Sequence, residues 1–238
     1  MIFIKIISNI KIDMSKFGKI TSCNVYVIHV EINDINDRAQ EMIDIISDNS
    51  WVNKLKPIES KTFEARAKRT IKKLVNDIFL RINNPLSTEF GEYLISYSAV
   101  SALEECYQHH KVPLAELLKE KVTGNPGFDF HTETNTMLIA FGEAKYSGST
   151  NPYVNALSQI AKFIALEKDV AEFAILQHFV SSTAMENALN GNKAFTAAFS
   201  INTQQPNRIF TNALKSTTLE QLLAYEELYL IGVEICAK

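Results

Sequence analysis

The chain has 238 residues, of which 46% are hydrophobic and 21% charged, with 24 Lys and Arg against 27 Asp and Glu. This length can bury a full core, and the composition excludes disorder, collagen and coiled coil. A net charge of −3 excludes a protein that coats nucleic acid by bulk charge, since phosphate binding draws on surplus Lys and Arg; a local basic face stays open.

The N-terminal stretch from Met1 to Ile12 is apolar but broken by Lys5, Ser8, Asn9 and Lys11, which suits a strand rather than a signal peptide. β-branched runs at Ile2 to Ile7 and Asn24 to Ile32 predict two early strands. The period then changes: Ile35, Ala39, Met42, Ile43 and Ile46 share one face of a helix within 34–55. A second helix, over 62–82, sets Arg66, Lys68, Arg69, Lys72 and Lys73 against Phe63, Ile71, Leu74, Val75 and Ile78. Such a face suits a solvated amphipathic helix. It also suits a phosphate-contacting surface, because Arg66, Arg69 and Lys73 recur at steps of three and four.

Pro85 ends that helix, and Ser87 or Thr88 can cap a third over 89–108, with Phe90, Leu94 and Tyr97 on its buried stripe. Thr123 to Gly127 form a loop. Phe128 to Thr132 and Met137 to Tyr146 make a β-hairpin turning at Thr134 and Asn135. A helix follows over 152–167, and strands are predicted at 194–201 and 227–235, with helices at 205–215 and 218–224. Residues 172–179 fit either a strand or a helix. The three cysteines, Cys23, Cys106 and Cys236, are odd in number and form no C-x-x-C pair, so neither a disulfide framework nor a zinc site is indicated and a reducing cytoplasm is expected. No apolar run approaches the roughly 18 to 20 residues needed to span a bilayer, so no membrane partner is expected.

Chemistry concentrates on the hairpin. Residues two apart on a strand share a face, so Glu143 and Lys145 project together while the small Gly142 and Ala144 face the other way. A carboxylate and an ammonium among Met137, Leu138, Ile139, Ala140 and Phe141 are costly to bury unless they pair or bind a cation. Asp129 lies 14 residues before Glu143, a separation that a hairpin closes to side-chain contact. Converging carboxylate oxygens select Mg²⁺ or Mn²⁺, and a nearby lysine can orient water or stabilise charge on a phosphate, a set suited to phosphodiester hydrolysis. His131 shares the face of Asp129 and could touch a phosphate, or be an ordinary strand histidine. A Glu-x-Lys tripeptide alone also describes an exposed cross-strand ion pair. His109 and His110 end a helix, where a cation favours the dipole. No nucleotide-binding glycine loop, nucleophile elbow or H-E-x-x-H helix is present.

Gly127-Phe128-Asp129 followed by Gly142-Glu143-Ala144-Lys145 resembles the D…E-x-K core of the PD-(D/E)XK nuclease superfamily. With Phe90-Gly91-Glu92 on the preceding helix, the order is similar to the HamA family, nuclease subunits of the Hachiman antiphage defence system. The match covers residues 86–170; Phe128 stands where the superfamily's name has proline. The resemblance implies an α/β fold with a restriction-endonuclease-like core, a mixed central sheet flanked by helices, over 85–238. Residues 1–84 would be an N-terminal α+β extension and a candidate partner-docking region. It implies that Asp129 and Glu143 hold metal, with the Ala144 carbonyl as a further ligand, that Lys145 assists the attacking water, and that Glu92 completes the site. Gln159 and Phe163 resemble a Q-x-x-x-Y element of some relatives, although a lone helical Gln is as often a surface residue. The expected function is a Mg²⁺-dependent DNA endonuclease or nickase in antiviral defence, partnered by a HamB-like helicase. A non-catalytic nucleic-acid-binding or assembly subunit of the same fold is the alternative, as is a stand-alone repair or restriction nuclease.

Overall fold

β-branched runs from both ends of the chain meet in one sheet. A computed structural model describes residues 4–48, 50–73, 75, 87–113, 115–118 and 127–236. In chain order these form β1 (Ile4–Ile12), a 3-10 turn (Met14–Phe17), β2 (Asn24–Ile32), α1 (Ile35–Ser47), a second 3-10 turn (Ser50–Lys54), α2 (Pro57–Lys73) and α3 (Thr88–Tyr107). β3 (His110–Lys111), α4 (Ala115–Leu118), β4 (Phe130–Glu133) and β5 (Ile139–Lys145) follow. The rest comprises α5 (Tyr153–Ala165), α6 (Lys168–Ala171), α7 (Phe173–Leu176), α8 (Ser182–Leu189), β6 (Ala194–Ile201), α9 (Pro206–Lys215), α10 (Thr217–Leu222) and β7 (Glu227–Ile235).

The seven strands lie in the order β1-β2-β7-β6-β5-β4-β3. β2, β7, β6 and β5 run parallel, while β1 at one side and β4 and β3 at the other are antiparallel. The parallel centre follows from composition: Ala194–Ile201 is buried at every position, as a strand covered on both faces must be. β1, by contrast, is buried only at Ile4 and otherwise half-buried or exposed, as an edge strand, and keeps its pairing to Ile12↔Val25, which carries it past Ile7.

Helices cover both faces, giving an α/β fold. On one face α1 and α3 pack over Ile28, Val30, Ala140, Ala144, Ile231 and Val233. On the other, α5, α9 and α10 pack over Val25, Val27, Phe141, Phe195, Leu228 and Leu230. The expected N-terminal extension, residues 1–84, includes β1 and β2, which complete the same sheet through β2–β7.

Local capping sets the helix limits. Asp34 Oδ1 accepts from the N–H groups of Asn36 and Asp37, and Asp48, in extended backbone, stops α1 after Ser47. The expected 34–55 helix therefore breaks into α1 and a 3-10 turn. α2 starts at Pro57, where a proline suits a first turn; its expected continuation to 82, Pro85 and the 123–126 loop lie outside the described residues. Ser87 caps α3 by accepting the Phe90 N–H at 3.2 Å. Residues 172–179, open between strand and helix in the sequence, are helical turns around α7. Among the described residues no helix is long and apolar enough to cross a membrane.

Candidate active site

The hairpin register builds the site. β4 pairs with β5 as Phe130↔Gly142 and His131↔Phe141, so one step further Asp129 stands opposite Glu143, on the same face of the sheet. The Asp129 N–H donates to the Gly142 carbonyl at 2.9 Å, and the Ala144 N–H donates to Asp129 Oδ2 at 2.9 Å. Gly142 makes this close pairing possible: a Cβ there would lie 2.2 Å from the Phe130 ring. Asp129 is thereby fixed at both backbone and side chain.

Glu143 is 2% exposed. Its Oε1 accepts from Lys145 Nζ at 2.6 Å, and its buried Oε2 has no hydrogen-bond partner. α3 carries Glu92 just past its first turn, and Glu92 Oε1 lies 3.6 Å from Lys145 Nζ. That helix approaches closely because Gly91 sits flat against Tyr146, where a Cβ would fall 2.1 Å from the ring. The chain leaving β5 is pinned as well: Ser147 N–H donates to Ser200 Oγ at 3.0 Å, and Asn202 Nδ2 donates to the Ser147 and Thr150 carbonyls at 2.6 Å each.

Burial, then the charge of Asp129, pushes the Glu143 carboxyl well above the usual carboxylate range; Lys145 opposes this and Glu92 adds to it. Burial pulls the Lys145 ammonium down, but the charges of Glu143, Asp129 and Glu92 outweigh it and raise the group above its ordinary value. Fully ionised, three carboxylates against one ammonium leave two negative charges in a largely buried space.

A divalent cation fits that imbalance. Among the described residues no three His, Cys, Asp or Glu side chains are gathered closely enough to hold a metal. Mg²⁺, however, is commonly held by one or two carboxylates, with phosphate oxygens and water completing its shell. Asp129 and Glu143 supply two, and the partnerless Glu143 Oε2 is an oxygen in need of a cation or donor.

The other sequence-predicted residues divide. The Ala144 peptide does reach Asp129, through its N–H. Gln159 is half-buried on α5, one turn before the buried Phe163, on the same face of the sheet as Glu143. His131 does not present a ring to substrate: it is 0% exposed, with Nε2 2.5 Å from Glu172 Oε2. On α2, Arg66 points elsewhere. Arg66 Nη1 donates to the Leu118 carbonyl at 3.4 Å and its guanidinium lies over Phe63. Phe63 packs against Trp51, His178 and Phe179, close to Ser181, which bonds Glu133 at the opposite end of the hairpin. Arg69 is exposed on the same helix, and the Lys73 side chain lies outside the described residues.

His109 also departs from expectation. Instead of a cation at a helix end it is a buried ring, Nδ1 2.9 Å from Thr132 Oγ1 and Nε2 3.1 Å from the Tyr229 hydroxyl. Burial, with a smaller push from His110, lowers it to about 4, so it is neutral at neutral pH. Sequence reasoning missed Glu172, which bonds residues on both sides of Asp129; a single Glu in a short helical stretch carries no spacing signal. In comparisons with known proteins, no family model matches the chain, and no curated protein matches it.

Proposed function

We propose that the chain is a metal-dependent DNA nuclease, an endonuclease or nickase, built on a restriction-endonuclease-like core. The observation that carries this reading is Glu143: a buried carboxylate, one oxygen partnerless, aligned with Asp129 and tied to Lys145 at the end of β5. An ordinary ion pair would not need a second and third carboxylate beside it. In this reading Asp129 and Glu143 hold Mg²⁺ or Mn²⁺, which when bound polarises a phosphodiester and lowers the pKa of water. Lys145, bonded to Glu143, would orient water or balance charge on the phosphate. Glu92 keeps the Lys145 ammonium charged and aimed into the site. The resemblance to HamA-type subunits supports an antiviral role beside a HamB-like helicase that engages the DNA, and the net charge of −3 suits a chain that leaves duplex binding to a partner.

The test is Mg²⁺-dependent cleavage of supercoiled and linear plasmid by wild type, Glu143→Ala and Lys145→Ala. Cleavage by wild type alone supports the reading. No cleavage by any of them, with or without a helicase partner and ATP, and no Mn²⁺ binding, would sink it in favour of an assembly subunit.

A further inference from the structure

We propose that Glu172 is a positioning residue for Asp129, acting as a clamp on the chain at either side of it; the proposal rests on the nuclease reading, in which Asp129 holds the cation. Glu172 stands between α6 and α7 and is 6% exposed. Its Oε1 accepts the Phe128 N–H at 3.1 Å, and its Oε2 lies 2.5 Å from His131 Nε2. One carboxylate therefore grips the residue before Asp129 through the backbone and the second residue after it through the side chain.

The need for such a clamp lies in the sheet itself. The Asp129 N–H donates to the Gly142 carbonyl on β5, while the Phe128 N–H before it, in a buried segment where every donor needs an acceptor, is met by Glu172. The Phe128 ring is wedged among Phe141, Phe163 and Phe195, and His131 meets Phe128 and Phe141 edge-on. Those contacts are apolar and carry no direction; the two directed bonds to Glu172 add to the β5 pairing in holding the orientation in which Asp129 Oδ2 accepts from the Ala144 N–H at 2.9 Å. A partner that orients a ligand typically changes metal affinity about 10–100-fold when lost.

Two readouts in the full chain test this: the dissociation constant for Mn²⁺ alone by calorimetry, and hydrogen exchange of the Ala144 amide, which reports the Asp129 bond without any metal. Glu172→Gln keeps an acceptor for Phe128 and a polar partner for His131, and should leave both readouts within about threefold of wild type. Glu172→Ala should weaken Mn²⁺ about 10–100-fold and speed Ala144 exchange while exchange at Leu230, in the sheet centre, stays unchanged. If Glu172→Ala does not fold, Glu172→Asp replaces it, one methylene too short to reach both donors, with the same expectation. Wild-type values in the Ala or Asp variant overturn the proposal. So does a Gln variant as impaired as Ala, because the charge and not the two acceptor positions would then matter. Should wild type bind no Mn²⁺, the nuclease reading falls, and Ala144 exchange alone decides whether Glu172 positions Asp129.

Discussion

Replacing Glu143 by glutamine should stabilise the protein while removing the cleavage proposed above. The carboxylate is 2% exposed, one oxygen is partnerless, and Asp129 and Glu92 both repel it. Lys145 at 2.6 Å offsets only part of that. Glutamine keeps an oxygen for Lys145 and places an NH₂ donor where the partnerless oxygen stood, beside the Asp129 carboxylate. Neutral replacement of poorly compensated buried charge is worth about 1–3 kcal/mol, and each kcal/mol moves Tm by about 2–4 °C in a chain of this length. The sign depends on pH. The folded-state pKa of Glu143 is raised above its unfolded value of 4.5, so the folded state holds the proton more tightly; wild type keeps that stability below about pH 4.5 and loses it as pH rises through the folded pKa. The difference between Glu143→Gln and wild type should be near zero at pH 4 and largest at pH 8, measured by urea and thermal denaturation in chelator. A variant less stable than wild type at pH 8, or a pH-independent difference, would refute the reasoning. Adding Mn²⁺ should then raise Tm for wild type and not for Glu143→Gln.

Gly142→Ala forces a Cβ to 2.2 Å from the Phe130 ring and should destabilise by about 1–3 kcal/mol or more; combined with Phe130→Leu, chemical denaturation should show a coupling of about 1 kcal/mol or more in a double-mutant cycle. His109, lowered to about 4 from 6.5, binds its proton in the unfolded state first, so stability should fall by roughly 3 kcal/mol as pH drops through that window; in His109→Gln the slope between pH 6.5 and 4 should flatten by that amount in pH-dependent denaturation. Deleting residues 1–32 removes Val25, Ile28, Val30 and Ile32, all fully buried, at about 1.5–3 kcal/mol each, and bares the β7 edge; the truncated chain should be insoluble or lack near-UV circular dichroism, and an unchanged Tm would contradict the sheet order.

The site was legible wherever spacing is a local matter. Asp129 and Glu143 close because a short turn fixes an antiparallel register, and Gly142 and Ala144 could be read as the strand's tightly packed back because side chains alternate on a strand. What the sequence could not show is what arrives from far along the chain. Glu172 meets Phe128 and His131 across 44 and 41 residues, and nothing about an isolated Glu between two short helices signals that reach. His131, open in the sequence between a phosphate contact and an ordinary strand histidine, is buried for the same reason: alternation placed it on the Asp129 face, but Phe128 and Phe141 close over that part of the face. The parallel order of β2, β7, β6 and β5 was equally hidden, since a buried apolar run does not name its neighbours. Arg66 on α2 shows the converse: its helical spacing was legible, but not that it would meet Leu118 and Phe63.

Other buried charges in the fold sharpen the case for the site. Lys193 meets Asp169 at 2.5 Å and lies over the Phe173 ring. Arg38 meets Glu41, Ser101 and the Tyr97 ring. Each is one cation to one anion, although Arg38 Nε has no hydrogen-bond partner, and the buried Glu133 and Glu227 carboxylates have both oxygens met by N–H or hydroxyl donors. At the end of β5 the ratio is three carboxylates to one lysine, and Glu143 Oε2 stays partnerless although Asp129 and Ala144 are locked beside it. Packing alone would favour a smaller charge there, because each excess buried carboxylate costs stability in the isolated chain. A proton on Glu143 relieves part of that excess; in the proposed reading a divalent cation held by oxygen ligands would offset the rest.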